Sequence, residues 1–268
     1  MARFFTLRSL TLIFALFMLG GCGLLPQQID ETADWSAERL YREARTEMDE
    51  GGYSRAIELF EKLESRYPYG RHAQQAQIEV AYAYYQSDQP EMAIAAVERF
   101  IRLHPNHPHV DYAYYLRGLI SFNEDLGILN RISRQDLSER DPQGMQESFQ
   151  AFQQLVTRFP ESRYAPDSIQ RMQYLVNSMA QHELHVGRYY FKRGAYVAAA
   201  NRAQTAILNY PDTPAVEEAL FLLRDSYAEL GMDDLREDTD RIIAMNYADS
   251  VYHDGGPEEE DKPWWQLW

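Results

Sequence analysis

The chain has 268 residues, 41 acidic against 26 basic, for a formal net charge of −15 at neutral pH. A balance this acidic excludes partners that need basic surface, nucleic acid and anionic lipid among them, so attachment to a membrane must come from something other than charge. The 45% apolar and 13% aromatic residues supply core for one extended domain or two small ones, and the single cysteine excludes a disulfide framework.

In chain order, residues 1–21 come first. Arg3 and Arg8 precede the apolar run Leu10 to Leu19, and the small residues Gly20 and Gly21 lead into Cys22. The run is short for a bilayer span and has the layout of an export signal. Leu19-Gly20-Gly21-Cys22 resembles the bacterial lipobox, which implies that Cys22 is lipidated and residues 1–21 are removed. Gly23 after the cysteine, in place of aspartate, implies by the same resemblance sorting to the outer membrane. Several acyl chains on Cys22 would hold the protein at a membrane stably, since two already do so. Removing Arg3 and Arg8 leaves the mature chain at −17. Residues 22–33 are then a lipidated amino terminus and linker, and Asp34 or Ser36 is placed to cap the first helix, with Glu38 near its positive end.

From residue 34 onward one unit recurs, clearest between Gln77 and Leu119. Ile78, Ala81, Tyr82 and Tyr85, then Ala93, Ile94, Val97, Phe100 and Ile101, form two apolar stripes at helical spacing that close at His104-Pro105. Small Ala81 and Ala93 let the two antiparallel helices approach. Ala44, Gly51, Tyr53, Ala56, Phe60 and Pro68 repeat the pattern 37 positions earlier. Gly118, Phe152 and Pro160 form a third copy, and Gly187, Tyr190, Gly194, Tyr196, Ala199, Ala203, Ala206 and Pro211 a fourth. A partial fifth runs from Leu220 through Tyr227 and Gly231 to Ile243, with Arg224 and Arg236 at the small-residue positions, as a polar end cap requires. The period and pattern are tetratricopeptide-like, so the expected fold is all-α, a right-handed solenoid of about five helical hairpins. It divides into an amino-terminal half, 34–160, and a carboxy-terminal half, 161–248.

Three stretches depart from the period. Gly118 to Ser148 spans 30 residues where Ala81 to Ala93 spans 12, which places an insertion at about 123–141, either a docking loop or a solvated flap. Helical patterning then runs long from Arg163 to Lys192, as one extended helix or two abutting ones. Residues 249–268 read as a disordered tail, in which the acidic run Glu258 to Asp261 precedes Trp264, Trp265 and Trp268. Those tryptophans fold back on the solenoid, enter a membrane interface or dock on a partner; the residues alone leave all three open.

Catalytic and metal motifs are absent from the sequence: it has no phosphate loop, nucleophile elbow, H-E-x-x-H or paired-cysteine site. His182 and His185 lack an evident third metal ligand, and His104, His107 and His109 read as loop contacts around Pro105 and Pro108. What stands out is aromatic. Tyr41, Arg45 and Met48, then Tyr82 and Tyr85, then Tyr112, Tyr115 and Phe122 lie on the first helices of copies one to three. In a stacked solenoid these helices line the concave surface, so the sets are expected to form a groove for an extended or amphipathic peptide, with about half of them packing as core.

Arg66-Tyr67-Pro68-Tyr69-Gly70, Tyr82-Ala83-Tyr84-Tyr85, Arg99 to Leu103, His107-Pro108, Asp111-Tyr112, Arg117-Gly118-Leu119, Arg140-Asp141-Pro142-Gln143 and Asn201-Arg202, in that order, resemble the BamD family of lipoproteins from the outer-membrane β-barrel assembly machinery. The resemblance runs from the lipobox to about Met245, insertion included, and leaves out the Trp-rich tail. It implies a non-enzymatic scaffold with no cofactor beyond the covalent lipid on Cys22, facing the periplasm from the outer membrane. It implies amino-terminal repeats that bind targeting segments of unfolded outer-membrane proteins, and carboxy-terminal repeats that hold the periplasmic POTRA region of BamA and the other lipoproteins of the complex. Asn201 and Arg202 match the family's BamA-docking motif. Another tetratricopeptide envelope lipoprotein, a pilus pilotin or a peptidoglycan-synthesis adaptor, is the alternative, and a repeat-bearing envelope hydrolase the enzyme alternative.

Overall fold

The computed structural model describes residues 30–124 and 142–254. They form ten α-helices in five consecutive hairpins: α1 (Ala37–Asp49) with α2 (Tyr53–Arg66), α3 (Arg71–Gln86) with α4 (Pro90–Leu103), α5 (Val110–Glu124) with α6 (Pro142–Arg158), α7 (Ala165–Lys192) with α8 (Tyr196–Asn209), and α9 (Ala215–Glu229) with α10 (Asp233–Asn246). Each hairpin also packs on the next, and the first helices touch one another, α1 on α3, α3 on α5 and α7 on α9. The first helices therefore make one row. This is the expected solenoid of five helical hairpins.

Local chemistry sets the helix limits. Ser36 caps α1, its Oγ accepting from the Arg39 N–H at 3.3 Å. Pro90 opens α4, where its missing N–H costs nothing. Between the two helices of a hairpin the chain turns through the left-handed region at Gly51, Gly194 and Gly231, with φ of +82°, +74° and +68°. In the second hairpin Asp88 holds the same place at φ +59°, 37 positions after Gly51.

Small residues set the helix spacing. Ala44, Ala56, Ala81 and Ala93 are completely buried. In the third hairpin a Cβ on Gly118 would lie 2.5 Å from the Phe152 ring, and the Ser148 hydroxyl donates to the Gly118 carbonyl at 3.2 Å. That contact joins the two residues the sequence pairs across 30 positions, so the hairpin packs as the others do on either side of the insertion. Of the insertion expected at about 123–141, Asn123 and Glu124 end α5, and residues 125–141 lie outside the described residues, as do Cys22 with the signal segment and the Trp-rich tail from residue 255 on.

Leu40, Phe60, Leu63, Val97, Phe100, Leu116 and Ile120 run as one buried cluster through the first three hairpins. The pattern from Arg163 to Lys192 resolves into one 28-residue helix, α7. Its middle buries Leu175 and Met179 with Met145 and Phe152 of α6, and its later turns bury Ala180 and Leu184 with Ala203 and Ala219 of α8 and α9. One helix of about 42 Å thus carries the core from one half of the chain to the other. In the last hairpin Arg224 pairs with Asp225 over the Phe221 ring, and Arg236 lies among Asp233, Glu237 and Asp240 of its own helix. Past residue 248 the chain continues as a short 3-10 turn, Val251–Asp254, with Tyr252 against Phe221 and its hydroxyl 3.2 Å from Glu218.

Candidate functional site

The row of first helices carries a groove of about 610 Å³, lined from α1 by Arg45, Met48 and Asp49, from α2 by Tyr53, from α3 by Gln75, Ile78, Glu79 and Tyr82, and from α5 and its approach by Tyr112 and His109. Arg163 and Tyr164, just before α7, complete it. Because α1, α3 and α5 lie side by side, residues four apart on one helix and 30 or more apart in the chain reach the same space.

Of the eight aromatic, arginine and methionine residues expected on the concave face, Arg45, Met48, Tyr82 and Tyr112 line this groove. Tyr41 sits behind it, its ring 6.1 Å from Phe60 and its hydroxyl donating to Glu79 Oε1 at 2.7 Å. Tyr85 packs against the core beside Tyr82, the rings 6.5 Å apart. Tyr115 stacks on Tyr164 at 4.7 Å and donates to Asp167 Oδ2 at 2.7 Å. Phe122 packs edge-on to Tyr174 at 6.1 Å, under the Arg171 guanidinium. The aromatic sets therefore fall into the groove itself and a second cluster where α5 meets α7.

Electrostatics in the groove centre on Glu79. Burial pushes its carboxyl above the ordinary value of 4.5, against the opposing pull of the Tyr41 hydroxyl, Arg45 and Gln75. Its Oε2 is shielded from solvent and accepts no hydrogen bond, with the Arg45 guanidinium 3.5 Å away. Burial likewise raises Tyr112 and Tyr82. Both hydroxyls therefore stay protonated, and the tyrosine walls stay neutral and able to donate. Asp167, although burial opposes it, is held below the ordinary carboxylate range by hydrogen bonds from Arg171 and Tyr115. Sequence periodicity misses Glu79, which sits between apolar Ile78 and Tyr82, and misses Arg163 and Tyr164, which belong to a junction rather than to a first helix. The junction's proline, Pro160, marks the place but not the side-chain direction.

A second surface lies on α8. Asn201 is exposed, and Arg202 donates to Glu183 Oε2 of α7 at 2.9 Å, with its own side chain 42% exposed and that of Glu183 only 11%. Val197, Asn201, Gln204 and Leu208 follow at helical spacing on the outer face of α8, and Val197 and Leu208 are 59% and 76% exposed. An asparagine and an arginine flanked by uncovered aliphatic side chains make a face suited to protein contact. Among the described residues no cluster of three His, Cys, Asp or Glu side chains is arranged to hold a metal ion.

The profile of the YfiO family, described as outer membrane lipoprotein, matches residues 33–242, which is every helix but the end of the last. The chain belongs to the BamD family. It is 47% identical over 262 residues to the outer membrane protein assembly factor BamD of Neisseria meningitidis, covering 98% of both chains. The relative of the same name from Neisseria gonorrhoeae is equally similar, 47% identical with 98% of both chains covered. The one from Vibrio cholerae is 36% identical, over 89% of this chain and 98% of its own length.

Proposed function

We propose that this protein is the lipid-anchored scaffold of an outer-membrane β-barrel assembly complex. It acts by binding, without catalysis. The groove between α1, α3, α5 and the start of α7 takes an extended, aromatic-rich segment of an unfolded barrel protein. The α8 face, with Asn201 and Arg202, docks the periplasmic POTRA region of BamA, and the carboxy-terminal repeats also hold the other lipoproteins of the complex. The lipid on Cys22 holds the solenoid on the periplasmic side of the outer membrane.

The observation that carries this reading is the groove. It is walled by neutral tyrosines, Met48 and Ile78 and edged by arginines, a lining that suits a partly apolar strand rather than a small polar metabolite. Family membership supports the partner assignment. For α8, support comes from Arg202 itself: its guanidinium holds only one carboxylate oxygen of Glu183, and a second carboxylate from a partner can use the remaining donors.

The experiment isolates the tagged protein from detergent-solubilised envelopes as wild type, Arg202→Ala and Arg202→Glu. A barrel subunit with periplasmic repeats should accompany wild type, weaken with Arg202→Ala and be lost with Arg202→Glu. Melting curves separate docking from folding, because Arg202→Glu also faces Glu183 with a like charge. Recovery of pilus or cell-wall proteins in place of the barrel subunit would sink the assignment.

A further inference from the structure

The groove holds two arginines, and their charges are not equally neutralised. Arg45 sits between two carboxylates, 3.5 Å from Glu79 Oε2 and 3.5 Å from Asp49 Oδ1. Arg163 is exposed and lies over the Tyr164 ring, 4.7 Å from its centroid, bonded to the Tyr164 hydroxyl. Among the described residues its one hydrogen-bond partner is that neutral hydroxyl, and the Asp111 carboxylate acts on it only at longer range, outside ion-pair distance. The groove's less neutralised positive charge is therefore on its α7 side, set on the tyrosine group Tyr164, Tyr115 and Tyr112. The opposite side, from α1 to α3, presents Met48, Tyr53, Ile78 and Tyr82 around a charge already paired.

Resting on the groove reading above, we propose that Arg163 is the residue through which the groove reads charge, and that its occupant is an extended segment with an acidic side chain two residues from an aromatic one. In an extended chain residues i and i+2 share a face, roughly 7 Å apart, so the aromatic ring lies on the tyrosines while the carboxylate meets the guanidinium. The carboxylate belongs to a side chain rather than to a chain terminus. Capture of a terminus takes a nest of free backbone N–H groups, and the start of α7 offers none. The Ala165 N–H is bonded to the Ser162 carbonyl, Pro166 has no N–H, and Asp167 already sits at the helix's positive end.

The test uses the purified full-length lipoprotein in detergent and fluorescein-labelled twelve-residue peptides of alternating aromatic and polar residues. One peptide carries a single Asp two residues before a Phe and an amidated end. A second has Asn for that Asp, and a third has Asn with a free terminal carboxylate. Wild type should bind the Asp peptide about two- to fivefold more tightly than the Asn peptide, a preference that fades in 0.5 M NaCl. Arg163→Gln should bind Asp and Asn peptides equally with an unchanged melting temperature, and Arg45→Gln should keep the preference. Discrimination that survives Arg163→Gln overturns the proposal, and so does a preference for the free-carboxylate peptide over the Asp one. If the Asp peptide fails to bind wild type, or binds Tyr82→Ala and Tyr112→Ala as well as wild type, the groove reading fails and this proposal with it.

Discussion

At Gly118 the Cβ that any other residue would add falls 2.5 Å from the ring of Phe152, a side chain with no solvent exposure and so no room to swing away. A helical Gly→Ala change normally gains about 1 kcal/mol from propensity. Here overpacking costs about 1–3 kcal/mol, and the closeness of the approach puts the clash ahead. Gly118→Ala should lower the melting temperature with little change in the denaturant m-value. Glu79 gives a second expectation at this scale. Its carboxyl is raised by burial, so between the ordinary 4.5 and its higher folded value the folded chain binds more protons than the unfolded one. Its contribution to stability is therefore greatest below pH 4.5 and is lost as pH rises through the folded value. Glu79→Gln cannot titrate, so wild-type stability relative to this variant should decline from pH 4.5 to pH 7. Paired urea titrations across that range check the sign, and a difference that grows with pH would refute the buried-carboxylate account.

Among the described elements α7 is the longest, and its successive turns are buried in different clusters, one shared with α6 and one with α8 and α9. A continuous helix there makes the two halves of the solenoid unfold together, because in a repeat array each unit is stabilised chiefly by its neighbours. His185 is an exposed position in the second half of the helix, so its side chain contributes little by itself. His185→Pro removes a backbone hydrogen bond and collides with the carbonyl of Gln181, at a cost of about 3 kcal/mol or more, whereas His185→Ala should stay within about 0.5 kcal/mol of wild type. The proline variant should also unfold in two resolved steps by circular dichroism where wild type shows one. A single sharp transition in both would mean that the halves are coupled by contacts other than the helix. That α7 is one helix rather than two was not decided by its periodicity, which continues equally through a helix or a tight junction. The absence of glycine or proline between Pro166 and Gly187 was the usable signal.

Over the whole molecule, what the sequence makes legible is what repetition makes redundant. Four copies of a small-residue pair and a closing proline each restate the same hairpin, so Gly118 could be matched to Ser148 across the insertion. The groove was legible only where it lies on repeated helices, at Arg45, Met48, Tyr82 and Tyr112. Two of its charged residues, Glu79 and Arg163, occur once each, and no period predicts a single residue. The attachment to the membrane rests on a singular feature too. Among the described residues no helix is long and apolar enough to cross a bilayer. The chain carries −15, and −17 on the proposed removal of Arg3 and Arg8, a charge that repels anionic lipid rather than adhering to it. We propose that the tether is a lipid on Cys22, where each buried methylene of an acyl chain adds about 0.8 kcal/mol. Cys22→Ala should release the protein from the envelope pellet into the soluble periplasmic fraction at physiological salt, with helical content and melting temperature unchanged. Release should be complete in strains lacking the barrel subunit and partial where that subunit is present, if the α8 face holds its partner as proposed. If Cys22→Ala stays with the pellet when the barrel subunit is absent, some segment of this chain other than the lipid binds the membrane, and the charge argument is wrong.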